Sequence, residues 1–338
     1  MSSVQVRPPS LDRISVIAPV KNEEGSIAQL LQGVLEQTYR PAEIVITDGG
    51  SGDRTKEIIR EYQASCPIPI VLIETDYALP GRGRNLAIAR ATHEWIASID
   101  GGIRPRPDWL ERLVETARRE PGAEIVYGTA EPVTDTYFTE CAAISYVPGG
   151  RLTQFIASCL LRRSAWAAAG GFREDLRSGE DLLFFRGLKE AGVKAANCAD
   201  ALVTWELRPT LARTFRRFTV YSRHNMRAGL GREWQFNVTR LYLIILVLLA
   251  AGFFVRPLLL LPPAILLLRT WKRMWGYYRA RAPERLWREL LNPRRVLTIT
   301  WINVVIDIAT LRGLWQWLLY DRAATVRELH PSGNSSFE

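Results

Sequence analysis

Cysteine and histidine are scarce: four and three in 338 residues. Cys66, Cys141, Cys159 and Cys198 form no CxxC and have no histidine pair beside them. They are read as reduced, buried thiols in a cytoplasmic setting. The opening residues, MSSVQVRPPSLDR, hold no apolar run. No secretory leader is therefore expected, and the first part of the chain is expected to stay in the cytoplasm. No GxxxxGK[ST] occurs, and GRGRN falls short of GxGxxG, which leaves a P-loop or dinucleotide reading weak. Internal repeats and low-complexity segments are absent, apart from a short polar tail, PSGNSSFE.

What is present is a chain able to bury a core, with 47% hydrophobic and 23% charged residues. The formal charge of +9 fits nucleic acid, an anionic membrane surface or a phosphate-bearing substrate. A membrane segment accounts for most of it, so no nucleic-acid partner is expected.

Up to about residue 232 the pattern alternates between strand and helix. Ile14 to Val20, Glu43 to Thr47, Ile70 to Glu74 and Trp95 to Ile99 read as strands. Helical patterns lie between them: Ile27 to Leu35, Lys56 to Gln63 and Arg84 to Arg90, with another around Leu110 to Arg118. This alternation implies an α/β fold with a mostly parallel sheet. Ligands of such sheets bind beyond the carboxyl ends of the strands. That rule selects Lys21 to Glu24, Asp48 to Asp53 and Asp100 to Gly102.

Five segments can carry chemistry, and each also has a plainer structural reading. DGGSGDRT (Asp48 to Thr55) can bring backbone close to a ligand, with Asp48 accepting from a base or ribose. It can equally be a turn capped by Ser51 or Asp53. In GRGRN (Gly81 to Asn85), Arg82 and Arg84 can bind phosphate with help from the following helix N-terminus, or form an ordinary basic loop. In SIDGGIRPRPDWL, Asp100 can hold a divalent cation that holds a diphosphate, or be a solvated turn residue. In GGFREDLRSGEDLLFF, Glu180 and Asp181 open a helix as base candidates or as dipole caps. In LARTFRRFTVYSRHNMR, Arg216, Arg217, Arg223 and His224 can meet a diphosphate or lie on a membrane surface.

After residue 233 long apolar runs appear. LYLIILVLLAAGFFV and PLLLLPPAILLL, with their flanks, predict a two-span hairpin over about 238–272. A basic, Trp-rich segment at about 273–295 follows and is expected on the cytoplasmic side. Residues 296–320 predict a third span or an interfacial helix, with Asp307 and Arg312 inside it.

Taken in order, SVIAPVKNEE, ITDGGSGDRT, GRGRNLAIARATHEWIASIDGG, PDWLERL and GGFREDLRSGEDL resemble the family 2 glycosyltransferases of GT-A fold, over about residues 12–232. The resemblance implies a Rossmann-like GT-A domain at 13–232, between an N-terminal tail at 1–12 and a membrane region at 233–322. A polar tail at 323–338 completes the division. By resemblance Pro19, Val20, Asn22, Glu23, Asp48, Gly50, Arg84, Asp100 and Gly101 bind the nucleotide-sugar. Gly170, Gly171, Arg216 and Arg217 are expected at the acceptor or diphosphate. Asp181 matches the catalytic base, and Glu180 its partner. Asp100 matches the first acid of the metal motif for Mg²⁺ or Mn²⁺, whereas Gly102 stands where the second acid belongs. His224 is a further candidate ligand.

The implied reaction is an inverting transfer of one sugar from a UDP- or GDP-linked donor to a lipid-linked or envelope polysaccharide acceptor. The expected setting is the inner membrane, multi-pass, with a cytoplasmic catalytic domain. Polymer extrusion is not expected, because the QxxRW mark of processive synthases is absent. The alternatives are a catalytically impaired member acting as a binding or scaffold protein, and a nucleotidyltransferase.

Overall fold

The computed structural model describes residues 11–147 and 154–323. Most of both expected tails, residues 1–10 and 324–338, lies outside the described residues. In chain order the elements are β1 (Ile14–Val20), α1 (Ile27–Leu35), β2 (Glu43–Asp48), α2 (Thr55–Ser65), β3 (Ile70–Glu74), α3 (Pro80–Arg90), β4 (Trp95–Ser98) and β5 (Ile103–Pro105). Next come α4 (Trp109–Arg119), β6 (Ile125–Val133), α5 (Tyr137–Tyr146), β7 (Cys159–Arg162), α6 (Arg163–Ala168), α7 (Glu180–Glu190) and β8 (Ala195–Glu206). The helices α8 (Leu211–Arg227), α9 (Gly231–Phe254), α10 (Leu261–Arg281), α11 (Leu286–Leu290) and α12 (Pro293–Gln316) follow. The chain divides into two compact units. The first holds residues up to 131, 151–175 and 180–206; the second holds 132–150, 176–179 and everything from 207.

The first unit is built on an eight-stranded sheet in the order β3-β2-β1-β4-β7-β6-β8-β5. The four strands expected from the alternation form its parallel half. β4 pairs antiparallel with β7, β7 with β6, and β5 with β8. Side chains of the parallel strands divide by parity between two cores. Ile14, Val16, Ala18 and Val20 join Ile44, Ile46, Trp95 and Ala97 on one face. Ile17, Val45 and Ile96 lie on the other. A strand with both faces covered has no polar face to show, hence the continuous apolar runs in the sequence. Strand order reverses about β1, which opens a crevice beyond the ends of β1, β2 and β4.

The second unit is helical. α8 belongs to it. The reason is packing remote in sequence. Ser222 donates to the carbonyl of Thr310 at 2.6 Å, and a Cβ on Gly313 would lie 2.5 Å from that of Ser222. α8 therefore rides closely on α12, which its own composition does not announce.

Among the described residues, two helices are long and apolar enough to cross a membrane: Gln235–Phe254 and Pro293–Asp321. The stretch expected as a two-span hairpin folds as α9, a short 3₁₀ turn (Arg256–Leu260) and α10. Its second arm falls short of a span because the half after Arg269 carries Lys272, Arg273, Arg279 and Arg281. The first arm is exposed along its length, with Leu246 at 60% and Phe253 at 86%. Asp307 and Arg312, the two charges expected inside this span, have partners. Asp307, 1% exposed, bonds Arg269 of α10 and accepts from Tyr242 of α9. Arg312 lies over the Phe215 ring, 5.5 Å from its centroid.

Candidate active site

Three loops meet at the ends of β1, β2 and β4. After β1, Asn22 takes a left-handed φ of 54° and ties the loop after β1 to the loop after β2. Its backbone N–H donates to Ser51 Oγ at 2.8 Å, and its side-chain oxygen accepts from the N–H of Gly52 at 2.9 Å. The N–H of Glu23 donates to Thr55 Oγ1 at 2.8 Å, and Lys21 Nζ donates to the carbonyl of Gly49 at 2.9 Å. Pro19 and Val20 end β1 in register with Thr47 and Asp48.

Asp48 is fully buried. One carboxylate oxygen accepts from the N–H groups of Gly50 (3.0 Å) and Ser51 (2.9 Å), and the other, Oδ1, is buried without a hydrogen-bond partner. Half of this carboxylate is therefore used in shaping the turn, and Oδ1 is the acceptor left over. Gly50 has φ +82°, and a Cβ there would run into the backbone of Asp76.

GRGRN is not a loop before a helix. Pro80 opens α3, so Gly81 to Asn85 are helical. The glycines serve close packing: a Cβ on Gly83 would lie 2.9 Å from Cβ of Pro19, and one on Gly81 would meet the carbonyl of Arg173. Arg82 is exposed, while Arg84 is 2% exposed. Arg84 Nη2 donates to both oxygens of Asp100, each at 2.7 Å, and Nη1 to Glu180 Oε1 at 2.9 Å. Its guanidinium also lies over the Phe172 ring, 5.5 Å from the centroid. Arg84, expected at the donor, is a buried clamp on two carboxylates.

Burial by itself lowers the Arg84 pKa, but Asp100 and Glu180 reverse this and hold it above the ordinary arginine value. Burial raises the Glu180 carboxyl; Arg84 opposes this, and Asp181 adds to it. Burial likewise raises Asp181, against Arg84 and with Asp100. Glu180 Oε2 is buried with no hydrogen-bond partner. The arrangement thus joins Arg84, Asp100 and Glu180 directly and sets Asp181 next in sequence, at the start of α7.

Gly170 and Gly171 form the turn after α6, with φ of +78° and +73°. Arg216 is exposed on α8, and Arg217 lies over the Tyr221 ring at 4.9 Å. His224 Nδ1 accepts from the N–H of Arg177 at 3.1 Å. Its pKa is lowered to about 4 by burial, then by Arg227 and Arg223.

Sequence reasoning missed the role of Asn85. Its Oδ1 accepts from Trp166 Nε1 (3.0 Å) and the N–H of Phe172 (2.9 Å), and its Nδ2 donates to the carbonyl of Phe172 (2.9 Å) and to Glu174 (2.9 Å). It fixes the segment that brings Phe172 beneath Arg84. An amide one residue after Arg84, on the same helix, was the available signal.

The loop after β4 offers a seat for a divalent cation. Among the described residues no group of three His, Cys, Asp or Glu could hold a metal. Cations that share a diphosphate need few protein oxygens, however. The Asp100 side chain is 31% exposed, held on one side by Arg84 and open on another. Beside it Gly101 and Gly102 leave a cradle that the Glu23 side chain enters: a Cβ on Gly101 would lie 3.1 Å from Glu23 Oε1. These donors fit an ion shared with phosphates.

Known proteins resemble the chain in sequence and in fold. Residues 15–170 match the family described as Glycosyl transferase family 2. Glycosyltransferase AglE of Haloferax volcanii is 28% identical over 210 residues, which covers 59% of this chain and 69% of that protein. Putative glycosyltransferase EpsE of Bacillus subtilis is 28% identical over 200 residues, covering 56% and 71%. Among solved structures, the mannosyltransferase PcManGT from Pyrobaculum calidifontis, in complex with GDP-Man and Mn²⁺, superposes with a TM-score of 0.57 at 21% identity. That likeness covers 91% of this chain and 89% of that one and concerns the fold.

Proposed function

Since the chain is a glycosyltransferase, we propose that it transfers one sugar, with inversion, from a UDP- or GDP-linked donor to a lipid-linked or envelope polysaccharide acceptor at the cytoplasmic face of a membrane. The observation that carries this reading is the contact chain Asp100–Arg84–Glu180. It couples the loop after β4, on the donor side, to the start of α7, where Asp181 stands.

In this reading Asp181 takes the proton of an acceptor hydroxyl. The acceptor oxygen bonds to the anomeric carbon as the bond from that carbon to the donor diphosphate breaks. The diphosphate leaves with the electron pair, and attack from the opposite face inverts the centre. A carboxylate whose pKa is raised by burial suits a general base, because the best base titrates near the working pH. Asn22 and the Asp48 turn shape the nucleotide side, and Arg84 keeps Asp100 and Glu180 in place. A divalent cation held at Asp100 would supply charge for the leaving diphosphate. The GDP-Man and Mn²⁺ of the structural neighbour agree with a nucleotide-sugar and a cation here.

The exposed apolar length of α9 and the partnered charges of α12 support membrane anchoring through these helices. Anchoring in turn favours a lipid-linked or envelope acceptor. Gly102 favours one other reading, an impaired member that binds donor without turnover.

The test uses purified full-length chain with a panel of UDP- and GDP-sugars. Asp181→Asn should abolish transfer while donor-dependent thermal stabilisation persists. Normal turnover in that variant would sink the base assignment. Donor binding without turnover in the unaltered chain would favour the impaired reading.

A further inference from the structure

We infer that Glu23 supplies the carboxylate that the loop after β4 lacks, so that a divalent cation is held by Asp100 together with Glu23. The inference deepens the proposed donor site and rests on that reading. Gly102 removes one acid from the loop, yet the space beside it is not vacant. A Cβ on Gly101 would lie 2.9 Å from Cγ of Glu23, 3.0 Å from Cδ and 3.1 Å from Oε1. A Cβ on Gly102 would have Glu23 Oε2 as its neighbour at 3.6 Å. A side chain at position 102 would therefore start towards the place where the Glu23 carboxylate already is. The two glycines are what let that carboxylate come so near the backbone next to Asp100. A side chain at 101 would displace it.

Three further observations hold Glu23 in this place. Its N–H donates to Thr55 Oγ1 at 2.8 Å, and its carbonyl accepts from the N–H groups of Ser26 (2.9 Å) and Ile27 (2.7 Å). Its Oε2 accepts from the Ser26 hydroxyl. The N–H of Gly101 donates to the carbonyl of Pro19, at 3.4 Å, which fixes the loop after β4 against the end of β1. Glu23 is thus anchored by its backbone and presents its carboxylate to the loop.

The charge balance also calls for a cation. The Arg84 guanidinium is bonded to both Asp100 and Glu180, with Asp181 adjacent. Glu180 keeps a buried oxygen, Oε2, without a donor, on a side chain 7% exposed. The Glu23 carboxylate lies against Gly101 and Gly102, the residues that follow Asp100. An oxygen-rich, negative corner with diphosphate to complete the shell matches the needs of Mg²⁺ or Mn²⁺.

The experiment measures Mn²⁺ binding to the full chain in detergent, by electron paramagnetic resonance, with GDP and separately with UDP. Glu23→Gln retains an acceptor for Ser26 but removes the charge. It should weaken Mn²⁺ binding about 10-fold or more, with an unchanged melting temperature in the absence of metal. Adding Gly102→Asp to Glu23→Gln should recover much of the lost affinity. Aspartate is among the residues that best tolerate the φ of +73° at position 102. Asp100→Asn serves as the reference for losing a ligand. If Glu23→Gln binds Mn²⁺ as the unaltered chain does while Asp100→Asn does not, the role of Glu23 is overturned and the cation reading stands. If the unaltered chain binds no Mn²⁺ with either nucleotide, both the cation and the role of Glu23 are overturned. Transfer by Asp181, tested separately, is untouched by either result.

Discussion

Each unit of this protein contains an arginine clasped by carboxylate, Arg84 buried and Arg269 partly exposed, and the two clusters are built differently. In the helical unit Arg269, Asp307 and Tyr242 come from α10, α12 and α9, and both oxygens of Asp307 have donors. In the α/β unit Arg84 joins Asp100 and Glu180, and acceptors are left over: Glu180 Oε2 is buried without a partner, as is Asp48 Oδ1 at the end of β2. A closed ion pair between helices of an apolar bundle is what a structural clasp requires, since an unpaired charge there is costly. An open cluster at the ends of parallel strands, with raised carboxyls, is what a reacting site requires. Completeness of pairing therefore separates the two clusters.

The sharpest way to break this comparison is to remove one carboxylate from each. Asp181→Asn should lower the rate of transfer by about 10²- to 10⁴-fold, the range expected for loss of a general base, and leave thermal unfolding near that of the unaltered chain. Asp307→Asn should do the opposite in the same two assays, lowering the unfolding temperature and leaving turnover by the folded fraction intact. Strong loss of turnover with unchanged stability in Asp307→Asn would end the distinction.

Arg84→Met comes next. It leaves Glu180 and Asp100 without their cation, and breaking such a buried pair costs about 3–5 kcal/mol, read by denaturant unfolding of the full chain. Activity should be lost as well, since Asp100 would no longer be anchored. A smaller effect, about 1 kcal/mol, is expected from Tyr242→Phe, which removes one donor to Asp307 at 3.3 Å. Turnover should not change.

The mildest prediction concerns pH. Glu180 and Asp181 have raised pKa values, so each holds its proton to higher pH than an ordinary carboxyl. The base must be deprotonated to act. Turnover should therefore rise with pH along an acid limb centred above the ordinary range of about 4. The limb reports the pair rather than either residue alone. The same shifts make folding stability contributed by these two groups greatest at low pH, and it falls as pH rises from the unfolded pKa through the raised folded ones. A rate profile whose acid limb sits at an ordinary carboxylate pKa would show that the pair is not the base.

Much of the donor side is legible in the order of residues alone. Parallel strands covered on both faces must be apolar throughout, so Ile14 to Val20 and Glu43 to Asp48 stand out, and with them the loops that follow. The antiparallel half is not legible in that way. β8 (Ala195–Glu206) alternates poorly, with buried positions only at Cys198, Ala201, Val203 and their surroundings, and its pairing with β5 spans about a hundred residues of chain. Nor is the helical state of GRGRN, because glycine disfavours helix and only the contacts of Gly81 and Gly83 with Arg173 and Pro19 explain its use.

By itself, then, the sequence determined the α/β order, the acids at Asp48, Asp100, Glu180 and Asp181, and the apolar helices of the second half, because periodicity and residue type are local properties. Only the tertiary structure decided what those groups face. It turned Arg84 inward on Asp100 and Glu180, gave Asp307 its partners, and laid Glu23 against Gly101 and Gly102. Those relations join residues 16 to 96 positions apart, and no local pattern of side chains encodes which distant groups the fold will bring within hydrogen-bonding reach.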